Sequence, residues 1–178
     1  MEEYEQIIKI PKERVAVLIG VKGKTKKEIE ERTNTKIRVS KEGEVSIRGD
    51  SFDAWLTKKI VKAIGRGFSP EKALLLLDEN YGLEIIELRD WAKTKNSLTR
   101  LKGRVIGEKG KAKRTIENLT ESYISVYGKT ICIIGETRKM PAIRRAIEML
   151  LSGSRHATVY RMLENERKIW RRQELLGE

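Results

Sequence analysis

The chain repeats itself. Leu18-Ile19-Gly20-Val21-Lys22-Gly23-Lys24-Thr25-Lys26 returns 87 residues later as Val105-Ile106-Gly107-Glu108-Lys109-Gly110-Lys111-Ala112-Lys113. At the same offset Ile29 meets Ile116, Thr33 meets Thr120, Ile37 meets Ile124 and Val39 meets Val126. One residue is then lost, and Ile47-Arg48-Gly49 matches Ile133-Ile134-Gly135. The period is too long for a solenoid, and the match extends well past the glycine motif. The 178 residues therefore read as two copies of one small domain.

Periodicity supplies the elements of each copy. In the first, alternation over Glu5 to Ile10 predicts a strand, Arg14 to Ile19 a short apolar helix, and Lys24 to Thr33 a second helix stopped by Thr33-Asn34. Lys36 to Ser40 and Glu44 to Arg48 alternate as a hairpin, turning at Lys41-Glu42-Gly43. A long helix from Phe52 to Ile64 follows, its expected core stripe being Phe52, Trp55, Leu56, Ile60 and Ile64. The second copy repeats this order with a strand over Leu83 to Leu88, helices over Leu98 to Ile106 and Lys111 to Thr120, and strands over Tyr123 to Tyr127 and Thr130 to Ile134. A last helix opens at Pro141. The expected organisation is a first domain at 1–69, a linker with a short helix at 70–82, a second domain at 83–153 and a C-terminal helix at 154–178. That helix is expected to dock on the second domain through Val159, Met162, Leu163, Ile169, Trp170 and Leu176, a partner-binding helix being the alternative.

Composition narrows the function. Cys132 and His156 stand alone, which excludes an internal disulfide framework, multi-Cys zinc sites and paired-His metal sites. His156 reads as a packing or hydrogen-bonding residue and Cys132 as a small buried one. No run of 18 apolar residues is present, and the acidic start Met1 to Lys9 lacks a signal pattern, so the expected location is the cytoplasm. The net charge of +12 suggests a polyanionic partner, most often nucleic acid.

The glycine loops suit a phosphate backbone. G-x-x-G alone is weak, but each loop here leaves an apolar helix, opens a new one, and carries Lys between and just after its glycines. Glycine admits positive φ and close approach, while the next helix points free N–H groups and its positive dipole end at the loop. No side chain in the loop reads a base with strict geometry, so the loop holds backbone and the groove beside it must do the reading.

Ile-Gly-x-x-Gly between two helices, with this strand order, resembles the KH domain in its eukaryotic-type (type I) topology. The resemblance implies an α+β (α/β) fold of two tandem β-α-α-β-β-α domains plus the C-terminal helix. It also implies clamping of about four single-stranded nucleotides, with bases over an apolar groove. Carried over, the clamps are Gly20-Val21-Lys22-Gly23 with Lys24, and Gly107-Glu108-Lys109-Gly110 with Lys111. The groove residues are Ile19, Ile29, Ile37 and Val39, then Ile106, Ile116, Ile124 and Val126. Lys102, Arg104, Lys113 and Arg114 surround the second clamp. Lys26 and Lys113 stand where many KH domains have an apolar residue, which is expected to make the groove more basic. Glu108 is unfavourable to phosphate. The strings Arg66-Gly67-Phe68-Ser69-Pro70-Glu71-Lys72-Ala73 and Ser154-Arg155-His156-Ala157-Thr158-Val159-Tyr160 are more specific. With them the whole chain is similar to archaeal members of the small-subunit assembly-factor family "partner of Nob" (Dim-two). That likeness implies binding of small-subunit rRNA near its 3′ end, work beside the Nob endonuclease, contact with the alpha subunit of initiation factor two, and no cofactor, metal or catalytic residue.

Charge separates the copies. Residues 1–82 hold 17 Lys plus Arg against 14 Asp plus Glu, whereas residues 83–178 hold 21 against 12. Lys93 to Arg114 contains nine basic residues and one acid, Glu108, so the second copy is the expected RNA funnel. Trp91, just before this cluster, reads first as a packing residue, with stacking on a base as the alternative. A phosphate loop is excluded because Leu18 occupies the place of its opening Gly. No grouping of carboxylates suggests a nuclease. The competing reading is a protein-interaction scaffold or general RNA chaperone whose basic charge binds RNA without specificity.

Overall fold

The computed structural model describes residues 3–178; Met1 and Glu2, the start of the acidic stretch and of the first domain as read from the sequence, lie outside the described residues. The chain divides into two compact units, residues 1–83 and 84–178.

The first unit runs β1 (Tyr4–Lys9), α1 (Lys12–Ile19), α2 (Lys24–Thr33), β2 (Lys36–Val39), β3 (Glu44–Gly49) and α3 (Ser51–Gly65). Its sheet has the antiparallel order β1-β3-β2, with Ile8 opposite Val45 and Ile37 opposite Ile47. Residues 70–77, in the segment read from the sequence as a linker with a short helix, form the one-turn helix α4 (Pro70–Ala73) and a 3-10 turn, and bury Ala73 and Leu76. The second copy repeats the order as β4 (Tyr81–Glu87), whose residues straddle the division at 83/84, α5 (Lys95–Ile106), α6 (Lys111–Thr120), β5 (Tyr123–Tyr127), β6 (Thr130–Glu136) and α7 (Met140–Leu151), with strand order β4-β6-β5. The expected α+β architecture, β-α-α-β-β-α twice with a C-terminal helix, is the one observed.

The repeat extends to buried polar detail. Thr33 donates to the Ile29 carbonyl at 2.6 Å and shares a hydrogen bond with Thr35 at 2.8 Å. Thr120 does the same with Ile116 and Ser122, at 2.7 Å each. These hydroxyls lie where α2 and α6 end, each in a left-handed residue, Asn34 at φ 54° and Glu121 at φ 53°.

Helix α3 corrects the sequence reading. Phe52 and Trp55 were expected in the core but are 62% and 50% exposed. The buried face is Ala54, Thr57, Ile60, Val61, Ala63, Ile64 and Gly65. Small residues on this face allow a close approach, as at Gly65, which packs on Ile10 just after β1. A Cβ on Gly65 would lie 2.7 Å from Ile10 Cγ2. Trp91 is likewise 39% exposed, so the packing role read for it is incomplete.

Helix α8 (His156–Leu176) packs on α6 and α7 through Val159, Leu163 and Trp170. Ile169 and Leu176, expected on this face, are 50% and 66% exposed. A buried cation helps seat the helix. Lys139 Nζ is 3.0 Å from Glu136 and 5.4 Å from the Trp170 ring, and Arg138 bridges Glu136 to Glu174 of α8. Cys132 is buried on β6, and His156 Nε2 donates to the Arg104 carbonyl at 2.8 Å. Among the described residues no helix is long and apolar enough to cross a membrane, and no cluster of three potential ligands could hold a metal.

Candidate nucleic-acid interface

The two glycine loops have the same backbone. Gly20 and Gly107 end α1 and α5 at φ 74° and 75°. Lys22 and Lys109 both stand at φ 53°, and Gly23 and Gly110 at φ 74° and 76°. In each loop the second glycine donates to the carbonyl of the first at 3.2 Å. A left-handed lysine costs energy that a glycine there would not, yet both copies keep lysine at that position.

The glycines differ in purpose. A Cβ on Gly20 would lie 2.7 Å from Thr25 Cβ, and one on Gly107 2.7 Å from the Ala112 amide nitrogen. The first glycine of each loop is thus needed for packing against the following helix. A Cβ on Gly23 would meet nothing within 4 Å, and one on Gly110 only the Arg114 guanidinium. The second glycine faces open space, where a ligand can approach.

The helices that follow are open to an anion. Neither α2 nor α6 has a side-chain cap or an acid in its first turn. By contrast, Asp50 caps α3, Ser69 caps α4, and Thr94 and Ser97 form a capping box on α5. The Lys24 and Lys111 amides turn back onto the Val21 and Glu108 carbonyls, and the remaining first-turn amides and the positive dipole end of α2 and α6 point at the glycine loops with no side-chain cap among the described residues. Lys22, Lys24, Lys109, Lys111 and Arg114 are exposed around these ends and Lys102 is half-buried, with Val21 and Glu108 also in solvent.

Three residues expected at the site serve the fold. Arg104 sends Nε to the Leu150 carbonyl at 2.8 Å and Nη2 to the Ser154 carbonyl, tying α5 to the end of α7. Lys113 pairs with Glu117 at 3.1 Å, and Lys26 with Glu30 at 3.2 Å and the Ile37 carbonyl at 3.0 Å. The extra basicity expected of the groove is therefore neutralised within each unit. Ile124 is 3% exposed, and Ile29, Ile37 and Ile116 are equally inside the core. The apolar groove surface open to a base is left to Ile106, 36% exposed, with Val126, Ile19 and Val39 half-buried. Sequence reasoning missed Arg14, which performs the task of Arg104 in the first unit. Its Nε and Nη2 reach the Ile64 and Phe68 carbonyls, each at 2.7 Å.

A family model described as eukaryotic-type KH-domain (KH-domain type I) matches residues 82–168, and one for the KH domain matches residues 5–65. A KH domain-containing protein of Methanocaldococcus jannaschii is 48% identical over 168 residues, covering 92% of this chain and 74% of its own. The pre-rRNA-processing protein pno1 of Aspergillus fumigatus is 36% identical over 104 residues, 56% of this chain and 41% of the relative. A solved structure, the a/eIF2alpha–aDim2p–rRNA complex from Pyrococcus horikoshii, contains a chain 49% identical to this one. The two agree with a TM-score of 0.86 over 93% of this chain and 95% of that one.

Proposed function

Because the chain belongs to the Pno1/Dim2p family of tandem KH-domain proteins, non-enzymatic binders of RNA, we propose that it grips single-stranded small-subunit rRNA near its 3′ end during ribosome assembly. The observation that carries this reading is the start of α6 at Gly110, without a side-chain cap or an acid in its first turn, ringed by Lys109, Lys111 and Arg114, which have no ion-pair partner among the described residues. Phosphates sit against the α6 amides and these cations, while Ile106 and Val126 offer the apolar surface for bases. The first unit has the same loop, but three cations of α2 are already paired with glutamates. It contributes less RNA affinity and presents the exposed Phe52 and Trp55 to a protein partner. The alpha subunit of initiation factor two and the Nob endonuclease are the partners proposed, in the cytoplasm.

A binding titration at two salt concentrations tests this. A short strand matching the rRNA 3′ end should bind better than a scrambled strand or a duplex. Four phosphates engaged would give a slope of log affinity against log salt of about −3. Lys109→Asp with Lys111→Asp should remove most binding, and Lys22→Asp with Lys24→Asp much less. Equal binding to all three RNAs would favour the scaffold or chaperone reading, and equal losses from both pairs would remove the asymmetry.

A further inference from the structure

Helix α8 turns one face into the second unit and the opposite face to solvent. Diametrically across from Val159, Leu163 and Trp170 runs a stripe of Thr158, Arg161, Asn165, Lys168 and Arg172, spaced alternately three and four residues apart and exposed throughout. It is about 21 Å long at 1.5 Å per residue. No carboxylate interrupts it. Glu164 borders it, and Glu174, near its end, is bound to Arg138. Arg161, Lys168 and Arg172 have no ion-pair partner among the described residues.

This is not the pattern of a merely solvated helix. In α2, Lys26–Glu30, Lys27–Glu31 and Glu28–Arg32 are opposite charges four residues apart. In α8 the stripe's own pair four apart, Lys168–Arg172, is like-charged, which destabilises a bare helix, and so is Arg167–Arg171 on its flank; Glu164, four residues before Lys168, forms no ion pair with it among the described residues. None of these cations lies in the last turn, where the helix dipole would favour them. A bound polyanion relieves that repulsion. The stripe's middle is Asn165 and Lys168, not the aromatic or aliphatic anchor that a protein interface needs. Forked arginines with Thr and Asn hydroxyl and amide groups suit phosphate oxygens.

We infer that the outer face of α8 is a second RNA-contact surface, taking the phosphate backbone of a folded rRNA element adjacent to the strand held at the Gly107–Gly110 loop. The inference rests on the RNA-binding reading above and adds a separate footprint to it.

The test uses the full chain, the triple variant R161Q/K168Q/R172Q, and two RNAs. One is a six-nucleotide single strand, and the other is that strand extended by a hairpin. The variant should bind the short strand as the wild type does. It should bind the hairpin-tailed RNA on the order of tenfold more weakly near 0.15 M salt, with a salt slope shallower by about 2–3, as three lost phosphate contacts require. A variant carrying the same charge loss on the first unit, R38Q/K41Q/K62Q, should bind the hairpin-tailed RNA like the wild type. Undiminished binding of the hairpin-tailed RNA by the α8 variant overturns the inference and leaves the stripe to an acidic protein. So does an equal loss on both RNAs, or an equal loss from the first-unit variant. Far-UV circular dichroism verifies that α8 stays folded. Lys109→Asp with Lys111→Asp, run in parallel, must weaken both RNAs. If it does not, the clamp reading fails, while the difference between the two RNAs still decides the role of α8.

Discussion

The carboxylate of Glu117 accepts a hydrogen bond from the amide of Ile124 at 3.0 Å, and Glu30 holds Ile37 in the same way at 2.9 Å. Each acceptor is steadied by a lysine one turn earlier, and each amide belongs to an edge strand, which no further strand among the described residues pairs on its outer side. In the first unit Lys26 also donates to the Ile37 carbonyl, so both backbone groups of that residue are satisfied. An edge left open invites pairing with another chain. Glu117→Ala is expected to destabilise the second unit by about 1–3 kcal/mol, the cost of orphaning a largely buried amide. Glu117→Gln, which keeps an acceptor oxygen, should cost less. Urea denaturation measures both, and equal costs would mean that the hydrogen bond to Ile124 is not the relevant interaction.

The two glycines of one loop should separate stability from binding. Gly107→Ala places a Cβ against Ala112 at positive φ and is expected to lower the melting temperature by several degrees, a loss of about 2–3 kcal/mol. Gly110→Asp meets only a flexible arginine, so it should cost less stability while abolishing phosphate binding through the charge it brings to the α6 amides. Thermal melts beside RNA titrations decide this. An inverted pattern would contradict the assignment of Gly107 to packing and Gly110 to ligand approach.

Arg104→Ala is expected to destabilise by about 2–4 kcal/mol, because two charge-assisted bonds to carbonyls of the α7 end and the following turn are lost together. Arg104→Lys should recover little, since an ammonium does not reproduce the fork. Hydrogen exchange should speed up in α8, whose first residue, His156, donates to the Arg104 carbonyl. Unchanged exchange in α8 would show that its docking is independent of this arginine.

Acid should loosen the seat of α8. Partial burial opposes ionisation of Glu136, but hydrogen bonds and charge from Arg138 and Lys139 outweigh it and hold the carboxyl below its ordinary 4.5. A carboxyl depressed in the folded state stabilises fully above the unfolded value and loses that contribution as pH falls through the folded one. Stability should therefore be level above about pH 5–6 and decline as the pH drops below 4.5. Glu136→Gln should lower stability at neutral pH, because it takes one partner from the buried Lys139, and should flatten the acid decline. Melts from pH 3 to 7 would show it; an equally steep decline in the variant would assign the acid sensitivity to other carboxyls.

The repeat made most of the fold legible in the sequence. Lys24–Thr33 and Lys111–Thr120 were bounded correctly because local periodicity and stop signals set them. The face of α3 was not legible, because Phe52 and Trp55 drew attention to size when the buried face carries the small residues Ala54, Ala63 and Gly65. At the candidate site, the loops and their exposed lysines followed from glycine chemistry alone. The roles of Arg104 and Lys113 did not. The carbonyls that Arg104 binds lie 46 and 50 residues further along the chain, and no local pattern points to them.

Arg14 and Arg104 have a further consequence. Both lock an early helix to the end of the last helix in the repeat, but they are 90 residues apart where the repeat is 87, so the anchor has moved by about one helical turn between the copies. Leu101 occupies the place that Arg14 would have in the second copy. The halves are therefore not interchangeable parts. A chimera that exchanged α1 for α5 at the glycine loops would keep two intact loops, yet it would bring its guanidinium to the receiving carbonyls a turn out of step. Each copy is bound to its own closing helix, so the two glycine loops stand on frames that do not fit one another.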